Sequence, residues 1–366
     1  MSQTHRFPAL LLKVAMLLSL VAVFPGCKGD RPGVYSPPKF KETVEEEFEV
    51  ISDELFGLVV SDIIVQGSQI IVCGSSQEDG KIIHVYDKES GEPLMHTLNS
   101  GRGPKELIFP GNISFHQDTG TMFFVDLFGA KRLDVDVDRL VEEGLDAIEE
   151  IYWPISKWGR HHIILKDGSL SFNNVSLPQK DTSDTRRLEL RDTAGDLISA
   201  YDKFPAIDEE WKRDMMYIND YVAVSPDEEK FAVVTSLGGI LETFSIKDGE
   251  LKNIATKYFV EPDFSMTKSK VGEVYSVSYD YDNLVKSFGD LYVTNDAVYA
   301  VYGGDRMFTS RTGSDNIAVF DWKGNPQKLI RTDYRIVTFF LDEEENTVYA
   351  VIWDSEMRPY IGRIRL

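Results

Sequence analysis

The feature that most restricts how this chain can fold is a recurring order of short strands. Each unit holds an apolar run, a loop, a second run ending in Asp or nearby polar residues, a turn and a further run. The turn aspartates Asp87, Asp136, Asp192, Asp248 and Asp321 are separated by 49, 56, 56 and 73 residues. That spacing fits propeller blades, which repeat every 40 to 50 residues or so, with insertions between them. One unit runs Asp62–Val65, Gln69–Cys73, Lys81–Asp87 and Leu94–Leu98, and another Gly289–Val293, Ala297–Tyr302, Asn316–Asp321 and Gln327–Arg331. Units over 113–136, 161–201 and 221–256 lie between them, and the last covers 335–366. We therefore expect an all-β chain folded as a six-bladed β-propeller. The last unit ends on its third strand, and the alternating segment Val44–Ile51 is expected to supply a fourth and close the ring, leaving only short protected edges. Helical periodicity is confined to Arg139–Glu150 and Glu209–Met216, both read as short insertions.

The N-terminus sets the expected compartment. Arg6 and Lys13 precede the apolar run Val14–Phe24, which is shorter than the ~20 residues a membrane-spanning helix needs. The run ends on Gly26-Cys27 and resembles the lipobox of bacterial lipoproteins, although Phe24 and Pro25 stand where leucine and a small residue are usual. The resemblance implies cleavage after residue 26 and acylation of Cys27, with more than one acyl chain holding the protein in the lipid bilayer. Residues 27–42 carry Pro32, Pro37 and Pro38 and read as a flexible tether, leaving 43–366 as the propeller. Asp30, soon after the cysteine, is similar to the surface-export signal of lipoproteins in the Bacteroidota. The expected location is the cell envelope, at the outer membrane, with the leaflet face left open.

The chain carries a formal charge of −21, and loss of Arg6 and Lys13 with the leader makes the mature form two charges more negative. Such acidity argues against nucleic acid as a partner. With Cys27 acylated, Cys73 has no disulfide partner, and its place at the end of Ile70-Ile71-Val72 reads as a buried small hydrophobe.

Two short segments carry a family resemblance. Gly101-Arg102-Gly103-Pro104-Lys105-Glu106-Leu107 resembles a Gly-Arg-Gly-Pro-Gly-Glu-Phe segment of the TolB-like six-bladed propeller lipoproteins of Bacteroidota. Asp126–Asp136 is similar to the strand-loop-strand of NHL-type propellers, with Gly129 in place of Asn and Arg132 one place late. The resemblance implies the six-bladed fold and an envelope location. It brings no catalytic motif to match.

Chemistry is sparse. His5 leaves with the leader, His84, His96 and His116 stand singly, and His161 and His162 face opposite ways on a strand. There is no Gly-x-Ser-x-Gly, and Gly101-x-Gly103 lacks the setting of a dinucleotide site. Asp134, Asp136 and Asp138 would share one face of a strand, which keeps a calcium or other divalent metal site open, but Arg139 and Leu145 break the EF-hand pattern. No cofactor is otherwise expected.

Propeller ligands bind at the channel mouth, so the ligand-binding candidates are Arg102, Asp126, Asp305, Arg306, Trp353 and Asp354. Each also reads as a turn residue or an interblade ion pair, and Arg102 could pair with a carboxylate or point at the mouth. The first expectation is a non-enzymatic binding or scaffolding propeller for an envelope protein or glycan. The alternative is a metal-dependent lactonase-like or lyase-like enzyme with its site in the central channel. A third reading is a sensor or assembly subunit working through protein contacts.

Overall fold

The computed structural model describes residues 33–53, 55, 57–108, 113–126, 130–153, 161–172, 186–208, 210–217, 220–262, 265–268, 275–278, 285–306 and 314–366. Four blades are separate four-stranded antiparallel sheets. Blade one comprises Leu58–Gln66, Gln69–Ser76, Lys81–Asp87 and Pro93–Asn99, and blade two Ile113–His116, Thr121–Asp126, Lys131–Asp136 and Ile148–Tyr152. Blade three comprises His161–Leu165, Gly168–Phe172, Leu188–Arg191 and Leu197–Tyr201, and blade four Asp220–Val224, Lys230–Thr235, Gly239–Lys247 and Glu250–Val260.

Blades five and six share the remaining large sheet. Blade five runs Val285–Val293, Ala297–Arg306, Ser314–Asp321 and the first part of the long strand Pro326–Asp342, whose second part begins blade six. Thr347–Trp353 and Pro359–Arg365 follow, and the N-terminal strand Glu49–Ser52 completes the blade. The expected six blades are present. Second strands such as Ile70–Cys73, Met122–Val125 and Val348–Ile352 are continuous apolar runs because neighbouring blades cover both of their faces.

Two expectations change in detail. The closing segment is two strands, not one. Glu42–Glu46 pairs in parallel with Lys328–Thr332 on the edge of blade five. The chain then turns at Phe48, whose N–H donates to Asp333 Oδ1 (2.9 Å), before Glu49–Ser52 joins blade six. Only the first half of Arg139–Glu150 is helical: the helix Val137–Glu143, capped by Asp136, and a short 3-10 turn lead into strand Ile148–Tyr152. The helix expected over 209–216 is found as Glu210–Met216.

The segment read as a free tether is laid against the ring from residue 33 onward. Ser36 N–H donates to Tyr258 O (3.0 Å), Tyr35 meets Tyr258 edge to face, Phe40 packs on Phe320 and Tyr302, and Lys41 N–H donates to Gln327 O (3.0 Å).

Large apolar clusters fill most seams between blades. One joins blades six, one and two, and others join three with four, four with five, and five with six. Among the described residues the seam between blades two and three holds a small cluster, Phe123, Val125 and Ile164, with Trp153 beside them.

A buried ion pair crosses from blade three to blade four. Arg187 (1% exposed) grips Glu242 (2% exposed), whose carboxylate also accepts the Tyr217 hydroxyl, while Phe204 and Tyr217 lie 4.5 and 5.0 Å from the guanidinium carbon. Removing one member strands a buried charge, which typically costs about 3–5 kcal/mol, whereas apolar replacement of both is often close to neutral. Glu242→Leu alone is therefore expected to lower the stability seen by chemical denaturation by about that amount, and Arg187→Met with Glu242→Leu to recover most of it.

Candidate functional site

Antiparallel pairing places the ends of the second strands and the interblade connections at one end of the ring, opposite the tight inner hairpins. Arg102 lies in the connection between blades one and two, and Asp126, Asp305, Arg306, Trp353 and Asp354 lie at or just after the ends of second strands. All six share an end of the ring, and the five other than Arg102 leave from second strands, one place further from the axis than the inner strands from which mouth residues are expected.

Their surroundings are mostly structural. Arg102 is exposed and makes no ion pair with a described residue. Its loop is fixed by Glu106, whose carboxylate accepts Gly103 N–H (2.7 Å). Asp126 is buried and accepts Ile108 N–H (3.0 Å), fastening the same connection. Asp354 closes its own turn, accepting Glu356 and Arg358 N–H (2.8 and 2.9 Å) and the Arg358 guanidinium (2.7 Å). Trp353 packs on the core of blades six, one and two. The side chains of Asp305 and Arg306, and all of Cys27, lie outside the described residues.

Asp134, Asp136 and Asp138 do not share a strand face. Asp134 is held by Arg132, Asp136 caps a helix and Asp138 sits in that helix's first turn. Among the described residues no cluster of three or more His, Cys, Asp or Glu is arranged to hold a metal.

Sequence reasoning missed a polar position repeated on the inner strands. Asp62, Asp220 and Thr338 lie four residues before the last paired residue of the inner strand in blades one, four and six, and Asp290 lies three before it in blade five. Register shifts immediately precede it in blades one, five and six, where an extra residue re-aims the side chain.

Burial pushes the Asp62 carboxyl up to about 8, and the nearby Asp290 charge adds to it, against the Ile63 N–H that favours the anion. Burial likewise raises Asp290 to about 6, although the N–H groups of Leu291 and Phe339 and the Lys286 ammonium favour its charged form. Burial in turn lowers Lys286, and Asp290 opposes that shift.

The second feature is a cleft of about 880 Å³ between blades two and three. It exists because the facing strands alternate strictly. Leu133 and Val135 point into the core of blades one and two, leaving Arg132 and Asp134 toward blade three. Leu170, Phe172, Leu188 and Leu190 point toward blade four, leaving Ser169, Ser171, Glu189 and Arg191 toward blade two.

Arg132 donates Nε and Nη2 to Asp134 (2.6 and 2.7 Å), and Phe123 and Trp153 lie 5.4 and 5.0 Å from its guanidinium carbon. On the opposite wall Arg191 donates Nε and Nη2 to Glu189 Oε2 (3.0 and 2.7 Å) and Nη1 to Gly195 O (2.7 Å). His116 Nε2 lies 2.9 Å from Ile164 O, and His162 Nδ1 lies 3.3 Å from the Ser171 hydroxyl. Tyr152, 76% exposed, stands among the lining residues. None of the six residues chosen from the sequence lines this cleft. The signal that could have found it is the polar alternation in Ser169-Leu170-Ser171-Phe172 and Leu188-Glu189-Leu190-Arg191, on strands that lie in the middle of a blade.

Comparison with known proteins gives a family and a set of folds. The model of the TolB-like 6-blade propeller-like family matches residues 39–344. No curated protein matches in sequence. Among solved structures, an exported protein of Bacteroides fragilis is similar at 10% identity and a TM-score of 0.49, over 88% of this chain and 98% of that one. A member of the DUF4221 family from Bacteroides vulgatus is similar at 9% identity and a TM-score of 0.48, over 90% and 95%. A gluconolactonase from Xanthomonas campestris is similar at 12% identity and a TM-score of 0.47, over 93% and 100%.

The inner-strand acids make stability depend on pH. Both carboxyls hold their protons more tightly folded than unfolded, where aspartate titrates near ~4. Their contribution is complete below that value and is lost as pH rises, through about 6 for Asp290 and about 8 for Asp62. Asp62→Asn should therefore flatten the fall in stability between these limits and leave the variant more stable than wild type at high pH, by on the order of 2 kcal/mol once relaxation around the charge is allowed for. Thermal melts across the pH range check this, and a variant melting curve that tracks wild type at every pH would refute it.

Proposed function

This chain belongs to the TolB-like six-blade propeller family, and from that premise we propose that it is a non-enzymatic binding protein of the cell envelope, anchored in the bilayer through acylated Cys27. The observation that carries the reading is the cleft between blades two and three, whose Arg132–Asp134 and Arg191–Glu189 pairs are tied to one another. Groups engaged in this way are preorganised to recognise a partner, and recognition is what a concave site with a few fixed polar groups does. Fold alone warrants no function; the chemistry of this cleft supports one.

The alternative, a lactonase-like metal enzyme, would hold a divalent ion in the channel. Among the described residues no three His, Cys, Asp or Glu side chains converge in an arrangement that could hold one.

Anchoring through Cys27 would also fix how far the propeller stands from the lipid. Because the chain is laid on the ring from residue 33, only the short stretch between Cys27 and Gly33 is left to span the gap. Fully extended, that stretch reaches about 20 Å. No helix among the described residues is long and apolar enough to cross a membrane. Growth with an alkyne-bearing fatty acid should label the wild type and not Cys27→Ala. Proximity crosslinking in intact cells should capture an envelope protein or glycan that the Cys27→Ala form loses. Label retained by Cys27→Ala would overturn the anchor, and equal capture by both forms would overturn an anchored role.

A further inference from the structure

We infer that the cleft between blades two and three takes a neutral saccharide. The inference deepens the binding role proposed above and rests on it.

Five observations converge. The apolar cluster of this seam is small, and Ser169, Ser171, Glu189 and Arg191 face it from strands whose opposite faces carry Leu and Phe. Each guanidinium in the cleft is already matched by the carboxylate two residues away on its own strand. An anionic ligand would have to displace a built-in carboxylate, whereas an uncharged one need not.

The hydrogen-bonding capacity that remains suits a polyol. Arg132 spends Nε and Nη2 on Asp134 and leaves Nη1 without a described partner. The partly exposed Asp134 oxygens can accept further bonds, so a donor and an acceptor stand side by side on this wall, as neighbouring hydroxyls on a sugar ring require. Aromatic surface is present as well, with Trp153 and Phe123 inside and Tyr152 exposed. Aromatic rings combine a large apolar face with a polar edge, and the C–H face of a pyranose needs the former. Finally, the volume of about 880 Å³ falls within the roughly 300–1,000 Å³ of small-ligand sites, enough for a short oligosaccharide.

The test uses the full-length protein in detergent, titrated with neutral glucan, mannan, xylan and N-acetylhexosamine oligomers and with uronate and sulfated oligomers, read by calorimetry and tryptophan emission. At least one neutral series should bind, and the charged series should bind more weakly. Arg132→Ala should weaken that binding at least tenfold. Tyr152→Ala, at a position too exposed to threaten folding, should weaken it several-fold with an unchanged melting temperature. Tighter binding of the charged series would overturn the neutral class. If no saccharide binds but a protein captured in cells is lost on Tyr152→Ala, the saccharide is overturned while the binding role stands. If neither saccharide binding nor cellular capture responds to Arg132→Ala or Tyr152→Ala, the cleft is not the site and both readings fall.

Discussion

Every blade of this ring begins with a strand that pairs on one side only, and what satisfies its other edge governs how the blades join. A backbone N–H turned away from its own sheet needs a partner, and here neighbouring blades supply it. The Ser114 hydroxyl accepts Ile164 N–H (3.1 Å), the Glu228 carboxylate accepts Lys166 N–H (3.0 Å), Ser236 O accepts Ser287 N–H (2.9 Å) and Asp290 accepts Phe339 N–H (3.0 Å). Each contact crosses one seam, so the polar side chains near the axis both hold the ring together and set its charge. The raised Asp290 carboxyl follows from this, since a group recruited to serve the Phe339 amide is removed from water.

The same division explains why one seam is a cleft. Blade three meets blade four through leucine and phenylalanine, reinforced by the buried Arg187–Glu242 pair, and meets blade two through serine, glutamate and arginine on the same strands. A strand in the middle of a blade has two covered faces and ordinarily spends apolar residues on both. Polar residues on one of them leave the backbone architecture intact and move the cost into side-chain burial. The fold can therefore carry a site without any change of topology.

Most of the architecture was legible in the sequence because a blade is a local object. The strands anticipated around Ile63, Ile71, Ile83, Ala300 and Ile317 are where they were expected, and the spaced aspartates make turns: Asp87 accepts Ser90 N–H (2.8 Å) and Asp321 accepts Lys323 N–H (2.9 Å). The candidate site was not legible. Arg132 and Asp134 entered only as part of a family-like segment and as a carboxylate run, because a strand alternating polar and apolar residues looks half-solvated until its place within a ring is known. Asp62 and Asp290 stand at or next to the start of their runs and escape notice for the same reason: what makes them unusual is burial within the ring, which the linear sequence does not show. The split of the closing segment at Phe48 depended on Asp333, which is distant in sequence.

The N-terminal segment also determines how the ring bears load. Glu42–Glu46 runs parallel to Lys328–Thr332, and the chain before it is fastened at Ser36 and Lys41. A pull on the chain ahead of residue 33 is directed along this strand pairing, so its hydrogen bonds share the tension instead of parting one by one. The strand that closes blade six lies downstream of them and is shielded until they fail. The segment thus serves as a strain relief, in the manner of a cable clamped before its connector.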